Sequence, residues 1–438
     1  MLKLCLALPT FYPTFGGGSL RFLRYQPGLR ERGIQARVLA GTARSKDLTQ
    51  QEIDLGWREA RIGDRLPLGR VEGIPVHRVR LPDATGLRRT ATYFRALIEL
   101  CEDPETRPDV IQIHSFERLE SLYWLRRIRR LGIPILYAIQ IARPAVEETR
   151  LRQLLKERML RGFYDLFDGV VTSSERIRDY LHGVGVRSPI AVIPNGVDLE
   201  RYSPASPEER LRAREKLGIE GKGPVLLSVG AVSPRKGTDL LVEAFDALGG
   251  AHPDAHLVVV GPRHDQRAED RGPFERRLEQ LVARSAHADR IHFMGVRDDL
   301  PDFYAAADLV VLPTNREGGT PNVVLEAMAC RRPVLITPFE GQSAAIGRPG
   351  LELEQVPRTA AALAEGLTRL LGDRDRREAL ASHGLDWVRR RLDQRHSLDC
   401  FAELYRRAAE GSLSSELFER EPFAGSPATP APLRAWPS

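Results

Sequence analysis

The sequence predicts an α/β protein in which two Rossmann-like, doubly wound domains face each other across a cleft, and three observations predict this class. Short apolar runs alternate with amphipathic stretches, which is the pattern of βαβ units with parallel sheets. The pattern occurs twice in 438 residues, a length typical of about two domains. Turn-forming residues at 193–198 and 203–207 separate the two series, as a domain linker would.

The first series contains six predicted strands, at residues 2–8, 36–40, 110–114, 133–137, 169–172 and 190–193. Predicted helices lie between them, at residues 20–32, 118–131 and 147–161, with a hairpin at 71–80 and a helix at 89–101. Because residues 2–8 run directly into Pro9 and a glycine loop, we interpret them as a first strand and not as a signal peptide.

The second series contains five predicted strands, at residues 225–229, 257–260, 291–294, 309–312 and 334–336. Their apolar runs are continuous, so we expect both faces of this sheet to be buried. Helical patterns follow at 359–371, 375–391 and 396–411. We therefore predict an N-terminal domain over 1–194, a C-terminal domain over 195–395, a helix over 396–411 that packs back on the N-terminal domain, and a disordered tail over 412–438.

The composition is that of a globular protein, with 42% hydrophobic and 28% charged residues. The four cysteines form no CxxC pair and no cluster with histidine, which argues against a disulfide framework and a structural zinc site and favours a reducing compartment. No apolar run approaches the ~18 residues of a transmembrane helix. Residues 1–190 carry 32 Lys and Arg against 22 Asp and Glu, so this half is basic and predicts an anionic surface or ligand.

Two loops that follow predicted strands have the character of phosphate sites. A glycine loop at 15–19 opens a helix, where backbone N–H groups and the helix dipole favour an anion. Arg235 and Lys236 stand where the next such helix begins, a poor place for cations unless an anion compensates them. The other interpretations are a tight turn for the first loop and a solvated basic turn for the second.

A third loop, at 313–330, leads into an apolar helix. Thr320 is a plausible N-cap and Pro321 a suitable first helical residue. Glu326 lies on this otherwise apolar helix, and a buried carboxylate needs a hydrogen-bond donor, for which a ligand hydroxyl or a neighbouring backbone N–H would serve.

The run from Glu317 to Cys330, with Pro333 and Val334 after it, resembles the E-x7-E signature of glycosyltransferase family 4. The resemblance extends over most of 190–400 and, in the front half, over the glycine loop and residues 29–33. It implies a two-domain GT-B fold and a retaining, metal-independent transfer of a sugar from a nucleotide-sugar donor to a carbohydrate or lipid-linked acceptor. The C-terminal domain would hold the donor and the N-terminal domain the acceptor.

The resemblance also implies roles for individual residues. Glu317 and Lys236 are the implied catalytic residues, with Glu317 against the donor sugar and Lys236 on the diphosphate, while Glu326 would bind the ribose hydroxyls. The other implied donor-binding residues contact the phosphates or lie near the nucleobase: Arg235, Asn322, Val323, Val324, Gly16, Gly17 and Val296. Fixed cations and a helix dipole would stabilise the leaving group without a metal.

The chain departs from the family pattern at several positions. Glu317 and Glu326 are nine residues apart instead of eight, so Glu317 reaches the sugar only if Gly318 or Gly319 absorbs the extra residue with a positive φ. Arg331 replaces a usual glycine. Three further departures are Ala231 for an arginine, Gln140 near the place of a histidine, and 339–343 for the usual glycine-rich turn.

Three other functions remain alternatives. A nucleotide-sugar-binding protein with lost or altered activity is favoured only by the nine-residue spacing. An epimerase or phosphorylase would use a related scaffold, but the linker and the third loop argue against it. A dinucleotide oxidoreductase is disfavoured because no GxGxxG with a downstream acidic residue follows either first strand.

The segment 118–131 raises the question of membrane contact. Trp124, Leu125, Ile128 and Leu131 form one stripe, and four arginines surround it. This fits an interfacial helix, but a helix packed on its own sheet with a solvated basic face is the favoured interpretation. We expect a cytoplasmic protein with peripheral contact to an anionic membrane, no metal cofactor and no nucleic-acid partner.

Overall fold

The structure is a computed structural model, and the residues it describes are 1–11, 17–41, 68–71, 73–82, 86–115, 120–139, 150–219, 221, 223–263 and 271–414. These residues form two parallel sheets with helices on both faces, so the predicted α/β class with two doubly wound domains is confirmed. In the described part of the chain, no helix is both long and apolar enough to cross a bilayer.

The first half of the chain builds an eight-stranded sheet. Its strands are β1 (Leu2–Leu8), β2 (Ile34–Gly41), β3 (Leu68–Val71), β4 (Ile74–Val79), β5 (Val110–His114), β6 (Ile135–Ile139), β7 (Gly169–Thr172) and β8 (Ile190–Val192). Its helices are α1 (Gly17–Glu31), α2 (Gly86–Glu102), α3 (Ser121–Arg129), α4 (Arg150–Tyr164) and α5 (Glu175–Gly183). The strand order is β3-β4-β2-β1-β5-β6-β7-β8, and only the β3–β4 hairpin is antiparallel among these strands.

The second half builds a six-stranded parallel sheet. Its elements are α6 (Pro207–Lys216), β9 (Val225–Val229), α7 (Thr238–Leu248), β10 (His256–Val260), α8 (Arg271–Arg284), β11 (Ile291–Phe293), α9 (Leu300–Ala306), β12 (Leu309–Leu312), α10 (Asn322–Ala329), β14 (Val334–Ile336), β16 (Glu354–Gln355), α11 (Ala360–Gly372) and α12 (Arg374–Arg391). The strand order in this sheet is β11-β10-β9-β12-β14-β16. A separate ribbon pairs β13 (Arg316–Gly319) with β15 (Glu340–Gln342) in parallel.

Continuous apolar strands place a core on each face of both sheets. In the first sheet, α1 covers one face, and α2 to α5 cover the other. In the second sheet, α6, α9, α10 and α12 cover one face, and α7, α8 and α11 cover the other. Each sheet is therefore buried on both sides, as parallel sheets are.

The last described helix, α13 (Gln394–Ala409), returns to the first sheet. Its residues Leu398, Phe401 and Tyr405 pack with α1 and the first strands, and Tyr405 donates a hydrogen bond to Gln112 on β5 at 3.0 Å. The chain passes between the two halves twice, and these two segments are hydrogen-bonded to each other. The N–H of Val197 donates to the carbonyl of Leu392, and the N–H of residue 394 donates to the carbonyl of Val197. The two halves are thus joined by a double-stranded connection.

Several predicted boundaries shift in the structure. The predicted strand at 133–137 begins two residues later, after Pro134, and the predicted helix at 147–161 becomes α4. Thr320 is not the N-cap of α10: Pro321 takes that position, and the Thr320 hydroxyl instead accepts from the N–H of Asn195. Most of the predicted tail, from residue 415 on, lies outside the described residues, as do Gly16 and Gln140.

Candidate active site

The candidate site lies where the carboxyl ends of the two sheets face each other. Ser173, after β7, donates to the carbonyl of Gly318 at 2.9 Å, and Ser343, after β15, donates to Glu175 at 2.6 Å. Loops from both halves therefore meet at this edge, where α/β sheets bind their ligands.

Lys236 and Arg235 converge on one carboxylate oxygen in this cleft. The Nζ of Lys236 lies 2.7 Å from Oε1 of Glu317, and a guanidinium nitrogen of Arg235 lies 2.8 Å from the same atom. The hydroxyl of Thr314 donates to it at 3.0 Å. The loop turns tightly at Gly237, whose φ is 68° and where a Cβ would come within 2.3 Å of the Pro313 carbonyl. This turn brings the two cations to the third loop.

Glu317 points into the cleft and not to solvent, since its side chain is only 13% exposed. Burial alone would raise the pKa of Glu317. Lys236 and Arg235 together lower it by more than burial raises it, so the pKa lies below its ordinary value. The extra residue of the signature is absorbed at Gly319, whose φ is 66°. Glu317 thus carries a negative charge between two cations at neutral pH.

Glu326 is held on α10 by donors from both halves of the chain. A guanidinium nitrogen of Arg24, on α1, donates to Oε1 at 2.9 Å, and the hydroxyl of Tyr304, on α9, donates to Oε2 at 2.8 Å. Burial and the adjacent carboxylate raise the pKa of Tyr304 well above its ordinary value, so it stays a donor. The side chain of Glu326 is 5% exposed, so its contact with a ribose stays a prediction.

The N-terminal turn of α10 faces the same region, with Asn322, Val323 and Val324 in sequence. First-turn amides have no partner within a helix, and the helix dipole makes this end attractive to anions. Of the three, Val324 is fully buried and its N–H already donates to Pro321 at 3.0 Å. The side-chain oxygen of Asn322 is buried without a partner. The N–H of Val324 is thus already engaged, and phosphate contacts by Asn322 and Val323 stay a prediction.

The remaining residues predicted to bind the nucleotide-sugar donor are Gly16, Gly17 and Val296. Gly17 is the first residue of α1, and Gly16 lies outside the described residues. Val296 follows β11 and is 44% exposed, a large apolar side chain open to solvent. No described contact joins Val296 to the Lys236–Glu317 cluster, so its place beside a nucleobase stays a prediction.

Sequence analysis missed the residues that connect the two halves. Asn195 donates through its backbone and its side chain to the hydroxyl and the carbonyl of Thr320, at 2.8 Å and 2.7 Å. Arg21, on α1, donates to the side-chain oxygen of Asn195. Residue 195 stood out only as part of a turn-rich linker, and nothing in the pattern around Arg21 or Arg24 indicated a partner some 174 or 302 residues away.

His114 is a second residue that sequence analysis missed. It ends β5 at the cleft edge of the first sheet, and burial together with the charge of Arg21 lowers its pKa to about 3. The side-chain amide of Gln112 donates to its Nε2 at 2.8 Å, so the ring is neutral and its proton lies on Nδ1. Among the residues that the structure describes, no group of three or more His, Cys, Asp or Glu side chains could hold a metal ion.

The sequence matches two family models: residues 16–196 match a glycosyl transferase 4-like domain, and residues 223–373 match the glycosyl transferases group 1. The lipopolysaccharide core biosynthesis mannosyltransferase LpsB of Rhizobium meliloti is 32% identical over 67% of this chain and 78% of its own length. The 2-deoxystreptamine glucosyltransferase of Streptomyces kanamyceticus is 29% identical over 84% of this chain and 93% of its own length.

Solved structures have the same fold. Anabaena HepE, crystallised with UDP and glucose, has a TM-score of 0.67 at 20% identity and covers 93% of this chain and 100% of its own. Sucrose-phosphate synthase of Thermosynechococcus elongatus has a TM-score of 0.71 at 20% identity, covering 93% of this chain and 99% of its own. With two facing parallel-sheet domains, the paired glutamates on the third loop and these relatives, the chain belongs to the family-4-like glycosyltransferases of the GT-B fold.

Proposed function

We propose that the chain transfers a sugar, with retention of its anomeric configuration, from a nucleotide-sugar donor to a carbohydrate or lipid-linked acceptor. The observation that carries the proposal is the convergence of Lys236, Arg235 and Glu317 at the carboxyl edge of the second sheet. Two cations and one carboxylate leave a net positive charge, which suits a diphosphate whose negative charge grows as the glycosidic bond breaks.

Each side chain of this cluster would have a distinct role. Lys236 and Arg235 would hold the donor diphosphate, together with the first-turn amides of α10. Glu317 pairs with both cations, and with a donor present it would lie against the sugar. Because these groups are fixed by the fold, they need little reorganisation when charge develops on the leaving group.

The acceptor side belongs to the first sheet in this proposal. Two similar proteins are named as mannosyltransferases, one of lipopolysaccharide core biosynthesis and one that acts on a phosphatidylinositol monomannoside. The basic character of residues 1–190 suits an anionic acceptor of that kind. We therefore place the reaction in the synthesis of a cell-surface polysaccharide or glycoconjugate, at the cytoplasmic face of the membrane.

Peripheral membrane contact would use the outer face of the α2–α5 layer. The apolar stripe of α3 is not available, because Trp124, Leu125 and Ile128 are buried against the sheet. The same layer nevertheless exposes four large apolar side chains and the four arginines of 126–130: Leu87, Tyr123, Met159, Tyr180, Arg126, Arg127, Arg129 and Arg130. Arginines with exposed aromatic side chains suit anionic headgroups more than insertion of a helix.

Vesicle sedimentation tests this contact. The wild-type chain should sediment with phosphatidylglycerol-containing vesicles at low salt, and much less with pure phosphatidylcholine. Replacing the four arginines of α3 and its end by Gln should abolish sedimentation. The matched control replaces four exposed arginines of the second half by Gln: Arg276, Arg284, Arg389 and Arg390. Equal loss in both variants would show only a general charge effect, and no sedimentation of the wild type would end the proposal.

A thermal-shift screen identifies the donor class. Ligands that bind only the folded chain raise its melting temperature, so UDP-, GDP- and ADP-sugars can be compared directly. We expect one nucleotide class to raise it clearly above the others. Release of the nucleoside diphosphate from that donor in the presence of acceptor extracts then separates a transferase from a protein that only binds the donor.

A further inference from the structure

Arg24 crosses the cleft from α1 to Glu326 on α10. One guanidinium nitrogen contacts Oε1 of Glu326 at 2.9 Å, and the other oxygen of the same carboxylate accepts from Tyr304 at 2.8 Å. The carboxylate is almost fully covered, and a buried carboxylate without a compensating cation is costly. Arg24 is the compensating cation among the described residues, and the carboxylate in turn raises the pKa of Arg24 against the opposing effect of burial.

The described contacts of Glu326 do not use all of its hydrogen-bond acceptor positions. Each carboxylate oxygen can accept about two hydrogen bonds. Arg24 donates to Oε1 and Tyr304 to Oε2, and burial together with the same carboxylate raises the pKa of the neighbouring Tyr202 hydroxyl. Even if Tyr202 also donates, at least one of the roughly four acceptor positions of the carboxylate remains for a ribose hydroxyl.

The face of α1 that carries Arg24 is fixed against the second half of the chain. Arg21 lies three residues before Arg24 on this helix, and Tyr25 lies four residues after Arg21. Arg21 donates to Asn195, and Tyr25 accepts from the N–H of Gly196 at 3.1 Å. Asn195 in turn donates to Thr320, two residues before α10. Arg24 thus reaches Glu326 only in the arrangement of the two halves that these contacts maintain.

We propose that Arg24 is a positioning residue for the ribose of the donor. It holds the Glu326 carboxylate in the orientation in which its remaining acceptor position accepts from a ribose hydroxyl. Because Arg24 belongs to the first half of the chain, the ribose contact becomes dependent on the arrangement of both halves. The inference rests on the proposed function, in which Glu326 contacts the ribose.

Calorimetric titration tests the role of Arg24. The probes are the nucleoside diphosphate, among UDP, GDP and ADP, that the wild type binds most tightly, and its 2′,3′-dideoxy form. We expect Arg24→Ala to weaken binding of the ribose form by about tenfold and to change binding of the dideoxy form by less than about twofold. Arg24→Lys should recover part of the loss. Arg30→Ala, an exposed arginine on the same helix, is the matched control and should change neither affinity.

Other outcomes overturn the inference in distinguishable ways. An equal loss for both probes means that Arg24 only supports the fold, and tighter binding by Arg24→Ala means that Arg24 competes with the ribose. If the wild type binds both probes equally, Glu326 does not contact the ribose, and if it binds none of the three diphosphates, the proposed function itself fails. Should Arg24→Ala not fold, as judged by its melting curve, the Lys variant decides by the same comparison of the two probes.

Discussion

Arg331 has a left-handed backbone conformation, with a φ of 54°, immediately after α10. This conformation costs a residue with a Cβ roughly 1–2 kcal/mol relative to glycine. Sequence analysis noted arginine here in place of a usual glycine, and the structure shows that this arginine adopts a conformation that favours glycine. Its side chain pairs with Glu378 on α12, an exposed contact worth little.

Replacing Arg331 therefore has an outcome that depends on the new side chain. Arg331→Gly should leave the melting temperature unchanged or raise it slightly, because relief of strain is offset by the greater entropy of glycine in the unfolded chain. Arg331→Val should lower the unfolding free energy by about 1–3 kcal/mol, since a β-branched residue tolerates this conformation poorly. Urea denaturation measures both values. A Val variant as stable as the Gly variant would contradict the assigned backbone conformation.

Lys236 should act on the diphosphate and not on the rest of the nucleotide. Lys236→Ala is expected to weaken binding of the nucleoside diphosphate by about tenfold or more, because a charge-assisted contact is lost, and to leave nucleoside binding much less changed. Lys216→Ala, an exposed lysine that pairs with Asp302, is the matched control in calorimetric titration. Equal loss for diphosphate and nucleoside would point to damage to the fold.

Glu317 should matter for turnover more than for affinity. Glu317→Gln keeps the shape of the side chain but removes the negative charge that pairs with Lys236 and Arg235, so diphosphate binding should hold or tighten while kcat falls by at least about tenfold. Steady-state kinetics with the identified donor provide the measurement. Unchanged kcat in the Gln variant would remove Glu317 from the catalytic residues.

The pH dependence of stability should also reflect Glu317. Its folded pKa lies below the ordinary value, so the stabilisation from its pairing is fully present above the ordinary pKa and is lost as the pH falls through the lowered one. Wild type and Glu317→Gln should therefore differ in melting temperature at neutral pH and converge in strong acid. A difference that stays constant down to acid pH would contradict the lowered pKa.

At the scale of elements, the inserted glycine couples the third loop to the first half of the chain. A Cβ at Gly319 would come within 2.0 Å of the carbonyl oxygen of Ser173, after β7, and Ser173 also donates to Gly318. The extra residue that breaks the family spacing thus lies at a contact between the two halves, and its backbone requires glycine on two grounds, the positive φ and the close approach.

Gly319→Ala should separate these two loops. We expect a lower melting temperature and a kcat reduced by about tenfold or more, because the contact with Ser173 cannot form without a shift of backbone. Gly250→Ala, in a turn of the second half where a Cβ would meet nothing within 4 Å, is the matched control and should change neither value. Wild-type kinetics for Gly319→Ala would show that the contact with Ser173 has no role in turnover.

Element prediction from the sequence succeeded where apolar runs were long and failed where they were not. The central strands β1, β5, β9 and β12 and the main helices could be predicted because their runs of apolar residues are long enough to stand out from the surrounding sequence. The short strands β13, β15 and β16 have two to four residues without an apolar pattern. β13 and β15 form by pairing with each other, and β16 forms by pairing with β14 at the edge of the second sheet. The prediction of Thr320 as the N-cap of α10 was wrong because the Thr320 hydroxyl accepts a hydrogen bond from the N–H of the distant residue Asn195.

At the scale of the whole molecule, the site is assembled from residues that no local pattern connects. Sequence analysis singled out Lys236 by its charge at a helix start, Glu326 by its place on an apolar helix, and Glu317 by the resemblance to family 4. It could not indicate Arg24 or Asn195, because their contacts depend on how the two sheets face each other after folding. The double connection at Val197 and the return of α13 to the first sheet hold that arrangement.

Release of nucleoside diphosphate is the measurement that tests the central claim most directly. The purified chain is incubated with UDP-, GDP- and ADP-sugars and acceptor extract, in the presence of EDTA, and compared with Lys236→Ala and Lys216→Ala. We predict release from one donor class, accompanied by transfer of label to the acceptor, lost in Lys236→Ala and retained in Lys216→Ala. No release from any donor, or release that is unaffected by Lys236→Ala, would contradict the claim that this cleft transfers a sugar by holding the donor diphosphate at Lys236.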